Sequence, residues 1–170
     1  FPPEGAADEP ALRVGRGPSG HGRLPAYQAL DELRDPREYR RRYEAEIRAF
    51  DRALGRVVRW LEESGWLEES LLVFTADHGE SLGEHDFWFC HGETLHAELV
   101  RVPLLVRLPK GCAGPRASER DGYLRVREPV QHLDLWPTVL EALGLEPGPC
   151  RGRSLLAGDL PAERELLATL

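Results

Sequence analysis

The sequence predicts an α/β layered fold, and three observations carry the prediction. A long amphipathic stretch over residues 35–61 precedes the unbroken apolar run Leu71-Leu72-Val73-Phe74-Thr75-Ala76. A second apolar run, Val102 to Leu108, follows a polar segment rich in histidine. A further helical pattern then spans residues 134–143. Helix and strand signals that alternate along one chain imply a sheet covered by helices. With 41% hydrophobic residues in 170, the chain can bury a core.

Each element has its own justification. Residues 1–34 are rich in Gly, Pro and Arg without periodicity and read as a loop-rich segment, mostly on the surface. Residues 35–170 carry the regular elements. Asp35 is placed to N-cap a helix, Pro36 suits its first position, and Glu38 stands where a capping-box acid would. Tyr39, Tyr43, Ile47, Phe50, Leu54, Val57, Val58 and Leu61 then recur at steps of three and four, forming one stripe that Gly65 can terminate. The run 71–76 predicts a strand buried on both faces, and 102–108 a second one. Between them, Glu93 to Leu99 reads as a short helix. Tyr123 to Val130 reads as a strand, and Asp134 as the N-cap of a last helix stopped by Gly144.

Composition excludes several classes of function. The chain carries 22 Lys and Arg against 29 Asp and Glu, a net charge of −7, which argues against general nucleic-acid binding. No run approaches the ~18 apolar residues of a membrane span. Cys90, Cys112 and Cys150 form neither a disulfide framework nor a zinc ribbon. The chain has no Met and opens on Phe1-Pro2-Pro3, so it reads as an internal piece of a longer protein. Compartment and oligomeric state stay open.

The chemistry concentrates in Asp77-His78-Gly79, just past the first strand, where open α/β sheets bind ligands. Adjacent side chains of an extended segment point apart, so Asp77 and His78 can grip one ion only if the chain turns, and Gly79 permits a turn. A carboxylate oxygen beside a neutral imidazole makes a partial shell for a divalent metal. His91 adds a third donor from a loop long enough to fold back. A turn with a solvated Asp77 is the competing account. Glu93 and His96 read as helix-surface residues, His85 as a neighbour of the site or an exposed side chain, and Cys90 as a small buried residue rather than a nucleophile.

The order of segments then carries a resemblance. Tyr43–Arg56 precedes Val73-Phe74-Thr75-Ala76-Asp77-His78-Gly79-Glu80-Ser81-Leu82-Gly83-Glu84-His85. His91-Gly92-Glu93-Thr94-Leu95, Arg101-Val102-Pro103-Leu104-Leu105-Val106, His132-Leu133-Asp134-Leu135-Trp136-Pro137-Thr138-Val139-Leu140 and Gly152-Arg153-Ser154-Leu155 follow. This series, over roughly residues 39–156, resembles the sulfatase family of the alkaline-phosphatase-like superfamily.

The resemblance implies part of an α/β/α sandwich, the carboxyl-terminal portion of a catalytic domain, and metal-assisted hydrolysis of a sulfate ester on a small molecule or glycan. It implies that Asp77 and His78 ligate a divalent ion, calcium in most sulfatases and zinc or manganese in the phosphatase-like branches. In those branches a His-Gly matching His91-Gly92 lies near a second metal or the substrate anion, which implies for His91 a role as hydrogen-bond donor or general acid. The family's nucleophile is a Cys or Ser followed by Pro two and Arg four positions on. Cys112-Ala113-Gly114-Pro115-Arg116 has Pro at three and lies after the metal pair, so no nucleophile is assigned in this chain and one is expected upstream. Many sulfatases hold the sulfate with a lysine, but the chain's one lysine, Lys110, does not match that position. Two alternatives stand beside the sulfatase reading. One is a phosphatase, phosphodiesterase or phosphoethanolamine transferase of the same superfamily. The other is a non-catalytic binding domain on the same fold.

Overall fold

The structure, a computed structural model, describes residues 9–112, 114, 123–157, 163–164 and 166–168. These form two compact units. One holds the described residues up to Trp60 together with Thr75–Pro103, the other Leu61–Phe74 and the described residues from Leu104 onward.

The long helix α1 spans Pro36–Glu63. Asp35 caps it as the sequence predicts: its Oδ1 accepts the Arg37 backbone N–H at 2.9 Å, and Pro36 is buried at the first helical position. Gly65 ends it in the left-handed region at φ +77°, donating its N–H to the Glu62 carbonyl at 3.0 Å. Glu38 pairs with Arg41 at 3.7 Å and Arg42 at 3.5 Å, exposed i,i+3 and i,i+4 contacts worth a few tenths of a kcal/mol. The apolar stripe exists, but burial stops after its first turn. Tyr39 is buried, whereas Ile47, Phe50 and Val57 are exposed, Phe50 to 59%.

The core of the first unit is Leu12, Leu24, Tyr39, Leu82 and Phe89. Two of these five come from the segment expected to be surface loop. Leu24 is fully buried, a contribution of about 2 kcal/mol for a leucine side chain. Backbone bonds hold that segment without regular structure: Leu24 N–H donates to Arg13 O and Gly15 N–H to Leu24 O, both at 2.8 Å. Most of residues 9–34 are exposed, with one 3₁₀ turn at Ala26–Gln28, but Leu12 and Leu24 point into the core. Strand β1 is Leu72–Thr75, β2 is Ser81–Leu82 and β3 is Trp88–Cys90. Strands β2 and β3 pair antiparallel, with Ser81 opposite Cys90 and Leu82 opposite Trp88 across an irregularity in register. Arg40 ties α1 to this hairpin. Its Nε donates to Leu82 O at 3.0 Å, its guanidinium grips both Glu9 oxygens at 2.6 and 2.9 Å, and it lies 5.7 Å from the Trp88 ring centroid. The connection strains the backbone: His85, Asp86 and Phe89 take φ of 54°, 63° and 49°.

Cys90 faces inward under the N-terminal segment. A Cβ on Gly20 would lie 2.2 Å from Cys90 Sγ, so glycine is required there for close approach. Helix α2, Ala97–Val100, is a single turn. It starts four residues later than expected, because Glu93 is drawn away from helix formation. Its carboxylate accepts the Ser19 hydroxyl at 2.7 Å and the Gly20 N–H at 2.6 Å.

In the second unit, β1 pairs with β4, Leu104–Arg107. The expectation that both strands are buried on both faces is not met: their residues are half-buried and Leu105 is exposed. Arg107 donates to the Leu67 carbonyl and to Glu68 Oε1 at 2.7 Å, and Lys110 N–H donates to Glu68 O at 2.7 Å. These bonds anchor the end of β4 to the 3₁₀ turn Trp66–Glu68. Residues 123–130 form no strand; the only apolar alternation there is short, and the segment has no ladder partner among the described residues.

Helix α3 is Leu135–Ala142. Gly144, at φ +72°, closes it with N–H to Glu141 O at 2.9 Å, while Leu145 N–H reaches Leu140 O at 2.8 Å. Asp134 does not cap α3 with its side chain, contrary to expectation. Its carboxylate turns back to accept the Gln131 N–H at 2.9 Å and the Arg153 N–H at 2.9 Å, and it takes both guanidinium nitrogens of Arg164 at 2.8 and 2.9 Å. The charge is wholly buried, and a doubly bonded guanidinium compensates it better than a helix end would. Thr138 completes this knot, donating to Asp134 O at 2.5 Å and accepting the Leu155 N–H at 2.9 Å.

Two outcomes follow from these buried groups. Arg164→Met leaves the Asp134 carboxylate without its counter-charge and lowers the unfolding free energy by about 3 kcal/mol, measured by urea denaturation. The Cys90 thiol is pushed up to about 11, first by burial and then by the Glu93 and Glu80 carboxylates. At pH 8 only about one thiol in a thousand is then thiolate, so Cys90 resists iodoacetamide while exposed Cys150 reacts, as read by peptide mass mapping.

Candidate metal centre and its imidazole neighbours

The turn after β1 brings Asp77 and His78 to one side. The Asp77 carboxylate bends over its own backbone: Oδ1 accepts the His78 N–H at 3.0 Å. The His78 ring bends the other way, with Nδ1 2.8 Å from Gly79 O. A carbonyl can only accept, so Nδ1 carries the proton and the other ring nitrogen, Nε2, is the one left to bind elsewhere. That Nε2 lies 3.6 Å from Asp77 Oδ2. Asp77 is 88% exposed and His78 44%. Its bond from the His78 N–H, then its own N–H and the neighbouring His78 charge, hold the Asp77 carboxyl below the ordinary carboxylate range.

The separation suits a shared ion. Two donors about 2.1 Å from one cation at a tetrahedral angle lie about 3.4 Å apart. The pair is too far apart for a hydrogen bond of its own. The residues present thus fit a partial shell, one oxygen and one nitrogen, with the nitrogen's ring oriented by a carbonyl. Among the described residues, no three His, Cys, Asp or Glu side chains form a complete metal site.

Gly79 serves this turn in a way its sequence context did not indicate. Its φ is not in the left-handed region. What it supplies is space: a Cβ there would lie 1.9 Å from Glu98 O, and its N–H donates to Leu99 O at 2.8 Å. The backbone of α2 therefore sits directly on the turn.

His91 lies beside His78. Its ring stacks on His78, centroids 4.1 Å apart and planes at 27°. Its Nδ1 is 3.0 Å from Glu80 Oε2. Glu80 was not singled out from the sequence; its position directly after Asp77-His78-Gly79 was the available signal. His85 and His96 form a second stack at 3.9 Å, and His85 Nε2 lies 3.8 Å from Glu98 Oε1. His96 is the residue preceding the first turn of α2 rather than a helix-surface residue, and Glu93 is clamped by the N-terminal segment. Neither joins Asp77 and His78. In the sequence Cys112-Ala113-Gly114-Pro115-Arg116, Ala113, Pro115 and Arg116 lie outside the described residues.

Comparison with known proteins places the chain. A family model described as Sulfatase matches residues 6–145. Over 157 residues the chain is 35% identical to the multifunctional alkaline phosphatase superfamily protein PehA of Trinickia caryophylli, covering 89% of this chain and 29% of that protein. It is 34% identical over 119 residues to the N-acetylglucosamine-6-O-sulfatase of Bacteroides thetaiotaomicron, covering 69% of this chain and 20% of that enzyme. Against arylsulfatase K of Xenopus laevis it is 33% identical over 126 residues, covering 74% and 21%. The chain thus spans less than a third of the length of these relatives. Helices with small sheets, a strand followed by the turn Asp77-His78-Gly79, and a family match over most of its length make this chain a member of the sulfatase family.

Proposed function

We propose that this chain is the carboxyl-terminal portion, over residues 35–170, of the catalytic domain of a metal-dependent sulfuric ester hydrolase, built as part of an α/β/α sandwich. The observation that supports the reading most directly is the Asp77–His78 pair. Its oxygen and nitrogen lie 3.6 Å apart with the imidazole oriented through Nδ1.

Asp77 and His78 would hold a divalent ion. Calcium follows from the family, and zinc or manganese from the nitrogen donor. Such an ion supplies positive charge that stabilises the ester oxygens and the attacking nucleophile. The chain's own residues do the rest. Asp77 is ionised at neutral pH as any exposed carboxylate is, and the hydrogen bond from the His78 N–H lowers its range further. His78 is kept in one tautomer by Gly79 O. His91, stacked beside it with Nδ1–H given to Glu80, has Nε2 as an acceptor when neutral; as the imidazolium it donates Nε2–H to the ester and passes that proton to the leaving oxygen. The nucleophile and the other ligands lie upstream in this reading, which leaves the 170 residues alone inactive.

A second reading, phosphate-type ester chemistry, has a specific observation in its favour. The sulfate-holding lysine of many sulfatases has no counterpart near the pair, where His91 stands. PehA, a relative matched over 89% of this chain, is described as a multifunctional alkaline phosphatase superfamily protein. A non-catalytic domain is the third, and it requires that the intact protein turn over neither ester.

Paired assays of the intact protein on aryl sulfates and aryl phosphates decide between the readings. Sulfate turnover exceeding phosphate turnover is expected, and the reverse order rejects the first reading. Asp77→Ala lowers bound metal, measured by elemental analysis, and reduces turnover at least 100-fold. Unchanged metal content refutes the ligand assignment.

A further inference from the structure

We infer that Glu80 is a positioning residue that holds His91 by Nδ1 and aims its Nε2 away from the protein interior; this rests on the reading of His91 as hydrogen-bond donor and acid. The Glu80 side chain is only 16% exposed, yet its charged group has a single hydrogen-bond partner among the described residues, His91 Nδ1 at 3.0 Å. Its other oxygen, Oε1, is buried without one. A carboxylate removed from water is costly unless paired, so burial and the imidazole contact sustain each other. Among the described residues, Glu80 has no ion-pair partner besides His91. Tyr27 and Tyr43 feel the Glu80 charge, and Cys90 is held as a neutral thiol.

Two constraints then act on one ring. Glu80 fixes the Nδ1 edge of His91, and the face of His78 fixes its plane at 4.1 Å. The result repeats the arrangement at His78, where Gly79 O holds Nδ1. Two parallel imidazoles, each anchored at Nδ1, leave their Nε2 atoms for work. A carboxylate behind a histidine fixes tautomer and orientation, and loss of such a partner costs 10–100-fold.

The test separates the anchor from the acid. In the intact protein, Glu80→Ala lowers kcat about 10–100-fold for alkyl or phenyl esters, whose leaving oxygens need a proton. It lowers kcat less than about threefold for a 4-nitrophenyl ester, and KM moves little in either case. Glu80→Gln retains most of the activity because its amide oxygen still accepts from Nδ1–H. A crystal structure of Glu80→Ala shows the His91 ring rotated or displaced. An unmoved ring, or equal losses across leaving groups for Glu80→Ala where His91→Ala discriminates between them, overturns the proposal. If the ring moves but His91→Ala lowers all leaving groups alike, Glu80 stands as the anchor and the acid reading of His91 falls.

Discussion

The site depends on a close backbone contact more than on any side chain. The carbonyl of Glu98 occupies the space where a side chain at position 79 would be, and the Gly79 N–H is taken by Leu99 O. That clamp prevents the chain from continuing as an extended strand past Thr75. Without it, successive side chains would alternate across the sheet and Asp77 and His78 would point apart. With it, they converge. A one-turn helix too short to be stable alone is in turn held by the strand end it covers.

Around this contact, hydrogen bonds set the orientation of each group. The Gly79 carbonyl and the Glu80 carboxylate take the Nδ1 protons of the two stacked histidines, and backbone N–H groups hold the Asp77 carboxyl below its ordinary range. Nearby, His85, Asp86 and Phe89 adopt positive φ, a conformation costly for residues with side chains. The hairpin that precedes His91 is therefore bent by Gly83, at φ +123°, together with the packing of Arg40 on Leu82 O and Trp88.

Much of the architecture was legible because it rests on local signals. Asp35, Pro36 and Gly65 bound α1, and Gly144 ends α3, through side chains and φ angles that act within a few residues. The two apolar runs gave β1 and β4 to within a residue or two. Long-range partners were not legible. Nothing near Asp134 announces that Arg164 will claim it, so the local capping reading failed. Glu93 could not be known to meet Ser19, nor Leu24 to be buried from a segment without periodicity. At the site, the residue types and their order pointed to Asp77, His78 and His91. Glu80 and the true role of Gly79 were hidden because both act through contacts made only in three dimensions.

The apolar stripe of α1 has a consequence for how the chain behaves by itself. Phe50, Val57 and Trp60 face water on a helix of 28 residues, a greasy rail longer than a free-standing surface helix usually shows. Against this, a net charge of −7 supplies mutual repulsion that salt progressively screens. Colloidal behaviour is thus a contest between an oily edge and an electrostatic cushion, and raising ionic strength tips it towards self-association.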